Sequence, residues 1–174
     1  MLIIAHRGNL EGSNLKTENT YDQILKCLSL GLSVEIDIWW KDEKFWIGHD
    51  APQKEFDKEL KLLYYYVKSG FIFVHAKNIE AMNEMILRFD SRNYYNKFDY
   101  FLHDKDQAVL TKTGYIWTYP GKELFENSIA VMPELCFEKY QNKVQELFLT
   151  NKISGICTDY PLKWIELEKS KKHA

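Results

Sequence analysis

The chain has 174 residues, 45% of them hydrophobic, which is enough for one compact domain with a sizeable core. Lys plus Arg number 23 against 25 Asp plus Glu, and the resulting net charge of -2 argues against the basic face of a general nucleic-acid binder. Cys27, Cys136 and Cys157 are far apart, odd in number and form no CxxC pair, so reduced thiols fit better than a disulfide framework. The apolar run Leu2 to Ala5 is too short for a signal peptide, and no stretch approaches membrane-spanning length. The expectation is a soluble cytoplasmic domain over residues 1–168, with a frayed Lys-rich tail at 169–174.

In chain order, Leu2 to Ala5 reads as a strand, followed by a polar loop from Gly8 to about Lys16. Thr20-Tyr21-Asp22-Gln23 has the form of a capping box opening a helix to about Leu30. Ile24, Leu25 and Leu28 are expected on its inner face, and Gly31 after its end. Ser33 to Trp40 is a strand, Asp42-Glu43-Lys44 a turn and Phe45 to Ile47 a short strand. Phe56, Leu60, Leu63 and Val67 recur at helical spacing up to Gly70. Phe71 to Val74 is a strand. Asn78 caps a helix that buries Ala81, Met82, Met85, Ile86 and Phe89. Tyr100 to Leu102 reads as strand, Gln107 to Leu110 as a short helix and Tyr115 to Thr118 as strand. After the Pro120-Gly121 turn come a strand at Ile129 to Met132, a helix over Leu135 to Leu149, a strand at Ile153 to Cys157 and a helix after Pro161.

Strands alternating with helical segments predict βαβ units around a parallel sheet. No glycine-rich fingerprint follows any strand, so a dinucleotide fold has little support. A compact TIM-type (β/α) barrel of seven or eight strands fits better. The chain is short for that fold, so its helices are shortened or an element is missing.

Glu35 and Asp37 are two apart on a strand and share one face. Inside a barrel, such a carboxylate pair needs a compensating cation, and Mg2+ or Ca2+ suits it. Solvated carboxylates on a surface strand would read the same way. His75 and Lys77 repeat the spacing at the end of the next long strand. There, Lys77 could neutralise a phosphate and His75 could be a third ligand or a polar contact. His6 and His49 each follow an apolar strand beside a glycine and could supply a base and an acid; Arg7 offers a fork matched to phosphate oxygens. For His103 and His173 an ordinary structural role is the simpler reading.

At this point the motifs resemble those of the glycerophosphodiester phosphodiesterases. His6-Arg7-Gly8, Glu18-Asn19-Thr20, Glu35-Ile36-Asp37, Lys41-Asp42 and His49-Asp50 occur in that family's order and approximate spacing. Thr158-Asp159-Tyr160-Pro161 resembles its closing motif, and Trp117-Thr118 its late tryptophan-bearing strand. The resemblance implies a TIM barrel that hydrolyses a glycerophosphodiester to an alcohol and glycerol phosphate with a divalent cation, a reaction of lipid metabolism. It implies His6 and His49 as the acid/base pair, Arg7, Lys77 and Trp117 on the substrate, and Glu35 and Asp37 on the metal. A neighbouring glycerol hydroxyl would attack phosphorus, and a cyclic phosphate would then be hydrolysed.

The sequence departs from that pattern where His75 occupies the place of a third acidic ligand, a change that favours Mn2+ or Zn2+. The long insertion after His49-Asp50 is absent, which opens the cleft. Thr17 stands where a proline is expected. Two other readings stay open: a non-catalytic barrel that binds phosphodiesters, and a phosphodiesterase acting on polysaccharide- or lipid-linked glycerol phosphate. For the latter, Trp39, Trp40, Tyr119 and Tyr64-Tyr65-Tyr66 would line the cleft.

Overall fold

The computed structural model describes residues 1–66, 71–89 and 98–171, with no side-chain detail for Tyr65 and Tyr66. The expectations placed on Val67, Gly70, Lys172 and His173 fall outside the described residues. In chain order the elements are β1 (Leu2–Ala5), α1 (Tyr21–Ser29), β2 (Ser33–Lys41), β3 (Lys44–Ile47), β4 (Lys54–Glu55) and α2 (Asp57–Tyr66). Then come β5 (Ile72–Ala76), α3 (Ile79–Phe89), β6 (Phe98–Leu102), β7 (Ala108–Leu110), β8 (Ile116–Thr118) and β9 (Ser128–Val131). The chain closes with α4 (Glu138–Leu149), β10 (Gly155–Thr158) and α5 (Pro161–Lys171).

Parallel pairing runs β6-β5-β2-β1-β10-β9-β8, a curled sheet of seven parallel strands. This is the compact TIM-like barrel expected. Its abbreviations are specific: no helix joins β6 to β8 or β8 to β9. Antiparallel hairpins flank it, and the first, β2-β3, which β4 extends, turns through Asp42 (φ 50°) and Glu43 (φ 59°). Two positive φ values in succession match the right-handed strand twist.

The second hairpin, β7-β8, corrects the sequence reading. Ala108 to Leu110 is a strand paired with Ile116 to Thr118, where a helix was expected over Gln107 to Leu110. Three residues carry too little local signal, and the pairing with β8 decides the outcome. Among the described residues β6 has no strand ladder on that side. Instead the buried Asp99 accepts from Thr111 Oγ1 at 2.7 Å, Thr113 Oγ1 at 2.5 Å and Thr113 N at 3.0 Å, and Lys112 N donates to Tyr100 O at 3.0 Å. The Asp99 side chain and one main-chain bond thus close the seam between β6 and the β7-β8 hairpin.

Strand alternation divides the core in two. Val34, Ile36, Ile38, Val74 and Ile156 pack outward beneath the helices. Ile4, Phe73, Phe101, Trp117, Ile129, Val131 and Cys157 fill the barrel interior. Helix faces are narrower than the sequence suggests: Ile24 and Cys27 are buried on α1 and Ala81, Met85 and Phe89 on α3, whereas Leu25 (40%) and Ile86 (44%) are exposed. The expected capping box does not form. Thr20 Oγ1 donates back to Thr17 O at 2.7 Å, and Gln23 Nε2 donates to Gly8 O at 2.9 Å. The helix expected from Leu135 starts at Glu138, after a short 3-10 turn at Pro133–Leu135. At the other end α5 continues through Lys171, so Lys169 to Lys171 are helical rather than part of a frayed tail.

Candidate active site

The C-terminal ends of the parallel strands carry a ring of inward polar side chains: His6 after β1, Glu35 and Asp37 on β2, His75 on β5, His103 after β6 and Asp159 after β10. Barrel sites form at this face because loops there can vary without disturbing the strands.

The chain leaves β1 through a tight turn in which Arg7 adopts φ 51°. That turn aims the Arg7 amide at Glu35, donating to Oε2 at 3.1 Å. The guanidinium lies between two carboxylates, with Nη1 3.3 Å from Glu18 Oε1 and Nε 3.3 Å from Asp37 Oδ2. His6 is anchored through Nδ1, 2.9 Å from Asp159 Oδ1, while its Nε2 lies 4.0 Å from Glu35 Oε2. Asn9 Nδ2 donates to the same Asp159 oxygen at 2.8 Å. The Asp159 amide and the Thr158 hydroxyl both donate to Glu134 Oε1 at 2.8 Å. Burial opposes protonation of His6, but the Asp159 hydrogen bond and the Glu35 charge outweigh it and raise the imidazole pKa.

Glu35 and Asp37 are buried, 3% and 1% exposed, and their environments push them apart. Burial and the neighbouring Asp37 charge raise Glu35 to about 7. Burial acts on Asp37 in the same sense, yet His75, Lys77 and Arg7 hold its carboxyl well below the usual range. Asp37 Oδ1 lies 3.1 Å from His75 Nδ1 and 3.4 Å from Lys77 Nζ. Asn19, in the left-handed region at φ 54°, brackets it from the other side: Nδ2 donates to Asp37 Oδ2 at 3.1 Å and Oδ1 accepts from the Asp37 amide at 3.2 Å.

His49 stands at the rim, 37% exposed, with Nδ1 2.6 Å from Asp50 Oδ1. Its position depends on Gly48. The Gly48 amide donates to Asp37 O at 3.1 Å, and its carbonyl accepts from Trp39 Nε1 at 2.6 Å. Gly48 sits at φ +149°, where a Cβ would lie 2.3 Å from Ala51 O and 2.8 Å from Gln53 Cγ. Only glycine fits.

The site therefore brings together His6, Arg7, Glu35, Asp37, His75 and Lys77, with His49 at its edge. Trp117 is placed elsewhere: at 3% exposure it packs in the interior against Phe101 (4.6 Å between centroids) and Phe73 (5.4 Å). Trp40 packs under the helices against Phe45 and Arg88, and Tyr64 against Phe89 and Phe98, so neither lines the cleft. His103 is brought in where an ordinary structural role was expected. It stacks on His75 at 4.5 Å and lies against Tyr119 at 4.2 Å with the rings tilted by 43°. Its signal was present, since it follows an apolar strand with the same parity as His75. Asn19 and Asp159 lay within the quoted motifs Glu18-Asn19-Thr20 and Thr158-Asp159-Tyr160-Pro161 but carried no role of their own, and Asn9 and Glu134 meet partners far away in the chain, which no local pattern shows.

Glu35, Asp37 and His75 offer one donor atom each, all within 4.8 Å of one another, a span that one divalent ion can bridge. The donor chemistry fits such an ion. Two buried carboxylates repel one another, and burial and Lys77 lower the His75 pKa even against the pull of Asp37, favouring the neutral ring that a ligand must be.

Fold and site define a compact (β/α) barrel with a carboxylate–imidazole cluster at its C-terminal mouth. A solved structure of similar fold is that of a glycerophosphoryl diester phosphodiesterase from Parabacteroides distasonis ATCC 8503. Its TM-score is 0.58 at 14% sequence identity, covering 97% of this chain and 86% of that one. At this identity the likeness is one of fold. No protein-family model and no curated protein matches the sequence. No helix among the described residues is long and apolar enough to cross a membrane.

Proposed function

We propose that the protein is a metal-dependent phosphodiesterase of the glycerophosphodiester type, releasing an alcohol and glycerol phosphate. The observation that carries this reading is the convergence of His6, Arg7, Glu35, Asp37, His75 and Lys77 at one barrel mouth. The order of the motifs and the fold of the Parabacteroides enzyme support it.

Glu35, Asp37 and His75 would hold a divalent cation, which when bound would supply positive charge to the phosphoryl oxygens. The rest falls to the chain. Arg7 and Lys77 draw the anionic diester over the carboxylates and offset the charge that builds on its oxygens. His6 presents Nε2 because Asp159 holds Nδ1. In the first step one histidine of the pair takes the proton of the glycerol 2-hydroxyl as that oxygen bonds to phosphorus. The other gives its proton to the departing alcohol oxygen as its bond to phosphorus breaks. Water then opens the cyclic phosphate with the proton roles reversed. Glu134, Thr158 and Asn9 keep Asp159 in place behind His6.

Purified protein supplied with Mn2+, Mg2+ or Ca2+ should release choline from glycerophosphocholine or ethanolamine from its ethanolamine analogue. The His6→Ala/His49→Ala double variant should lose about a thousand-fold or more. Equal turnover by that variant would remove the assignment. Tight binding of the diester without product would instead favour the phosphodiester-binding barrel.

A further inference from the structure

The third corner of the cluster is built unlike the other two. His75 is stacked on one side by two neighbours at the end of β6, Phe101 (5.1 Å between centroids, 10° between planes) and His103 (4.5 Å, 16°), whose own centroids lie 6.4 Å apart. His103 is backed in turn by Tyr119 at 4.2 Å. That stack and the Asp37 contact at Nδ1 together limit the swing of the ring. Asp37 selects the face-on orientation, since Nδ1 meets its Oδ1 at 3.1 Å and a ring carbon could not. The contact of His103 with His75 is made face to face, at 16° between planes.

We propose that His103 is a positioning residue that holds His75 as a nitrogen donor, so that the Glu35–Asp37–His75 corner selects a borderline transition cation, Mn2+ or Zn2+, over Mg2+ and Ca2+. The inference rests on the metal-site reading above but not on turnover. Hard cations take six or more oxygen donors and gain little from imidazole. First-row transition ions gain more from nitrogen than Mg2+ or Ca2+ do, Zn2+ more than Mn2+, and a ring held in place gives up little freedom on binding. Asp37 also has Asn19, Arg7 and Lys77 around it, so few of its lone pairs are open to an oxygen-hungry ion.

The test is calorimetric titration of chelator-stripped protein with MnCl2, ZnCl2, MgCl2 and CaCl2, without substrate. Because most mixed N/O sites favour Mn2+ over Mg2+ to some degree, the measured quantity is the change in the ratio of the two affinities. His75→Glu should lower that ratio roughly ten-fold and abolish the nitrogen coupling in the pulsed EPR spectrum of bound Mn2+. His103→Ala should weaken Mn2+ about ten-fold when residue 75 is histidine and under about two-fold when it is glutamate. His103→Phe, which keeps a flat ring, should restore binding to within about three-fold of the parent. The proposal is overturned by an unchanged ratio in His75→Glu, by equal losses from His103→Ala in both backgrounds, by failure of His103→Phe to rescue, or by no Mn2+ binding at all. Glycerophosphocholine turnover measured alongside separates the two readings. Its absence with the metal pattern intact removes the phosphodiesterase reading alone.

Discussion

Replacing Asp99 with alanine tests how the barrel closes. Its carboxylate is fully buried and accepts three hydrogen bonds, at 2.7, 2.5 and 3.0 Å, from the turn of the β7-β8 hairpin. Hydrogen bonds to a charged group contribute about 1.5–3 kcal/mol each, so the gross loss is about 5–9 kcal/mol. Removing the carboxylate also removes its own desolvation cost of several kcal/mol, which leaves a net destabilisation of about 3–4 kcal/mol. For a chain of this size that lowers Tm by roughly 10 °C. Asp99→Asn keeps one carbonyl acceptor, and the threonine hydroxyls can rotate to meet the new amide, so about 1–2 kcal/mol is expected. Urea unfolding followed by tryptophan fluorescence is a suitable assay, because Trp117 lies against Phe101 across the same seam. Asp99→Ala within about 1 kcal/mol of the parent would refute closure by these bonds, and equal damage from Asp99→Asn would assign the effect to charge alone.

Three further outcomes follow from the site. Gly48→Ala should destabilise by about 2–3 kcal/mol through its φ and the close approach of Ala51 O, and should lower turnover by displacing His49; chemical denaturation and kcat read the two effects separately. Asp159→Ala should reduce kcat about a hundred-fold or more with little change in KM, because His6 loses its Nδ1 anchor; a change in KM alone would contradict that role. Glu35→Gln should melt higher than the parent in chelator, because it removes one of two crowded buried charges. The same variant should lose most of the rise that saturating Mn2+ gives the parent, about 2.7 kcal/mol at a hundred times Kd, as differential scanning fluorimetry would read.

The parts of the site legible in the sequence were those set by a period of two. Glu35 with Asp37, and His75 with Lys77, share faces because strand alternation leaves no other choice, and apolar neighbours mark the strands. The same parity pointed to His103, whose ordinary reading came from treating it singly rather than beside His75. What stayed hidden was set by contacts between distant segments. Thr20 and Gln23 matched a capping box locally, but the loop from Gly8 folds onto the helix start and takes both side chains. Gln107 to Leu110 looked helical because the strand that pairs with it comes later in the chain. Trp117 carried a motif resemblance, but its inward parity places it among Phe73 and Phe101.

Beneath the polar ring, Ile4, Phe73, Phe101, Trp117, Val131 and Cys157 form a continuous apolar plug. Among the described residues it closes the floor of the site and leaves the mouth open. Water and counter-ions cannot reach the carboxylates from below, so their charge is screened only from the mouth, and the field lines of the cluster leave in that direction. Whatever enters must come in along that field, and whatever is released must leave by the same opening. The departing alcohol and the incoming water of a two-step reaction would therefore take turns at one passage, which ties the order of events to the shape of the barrel floor.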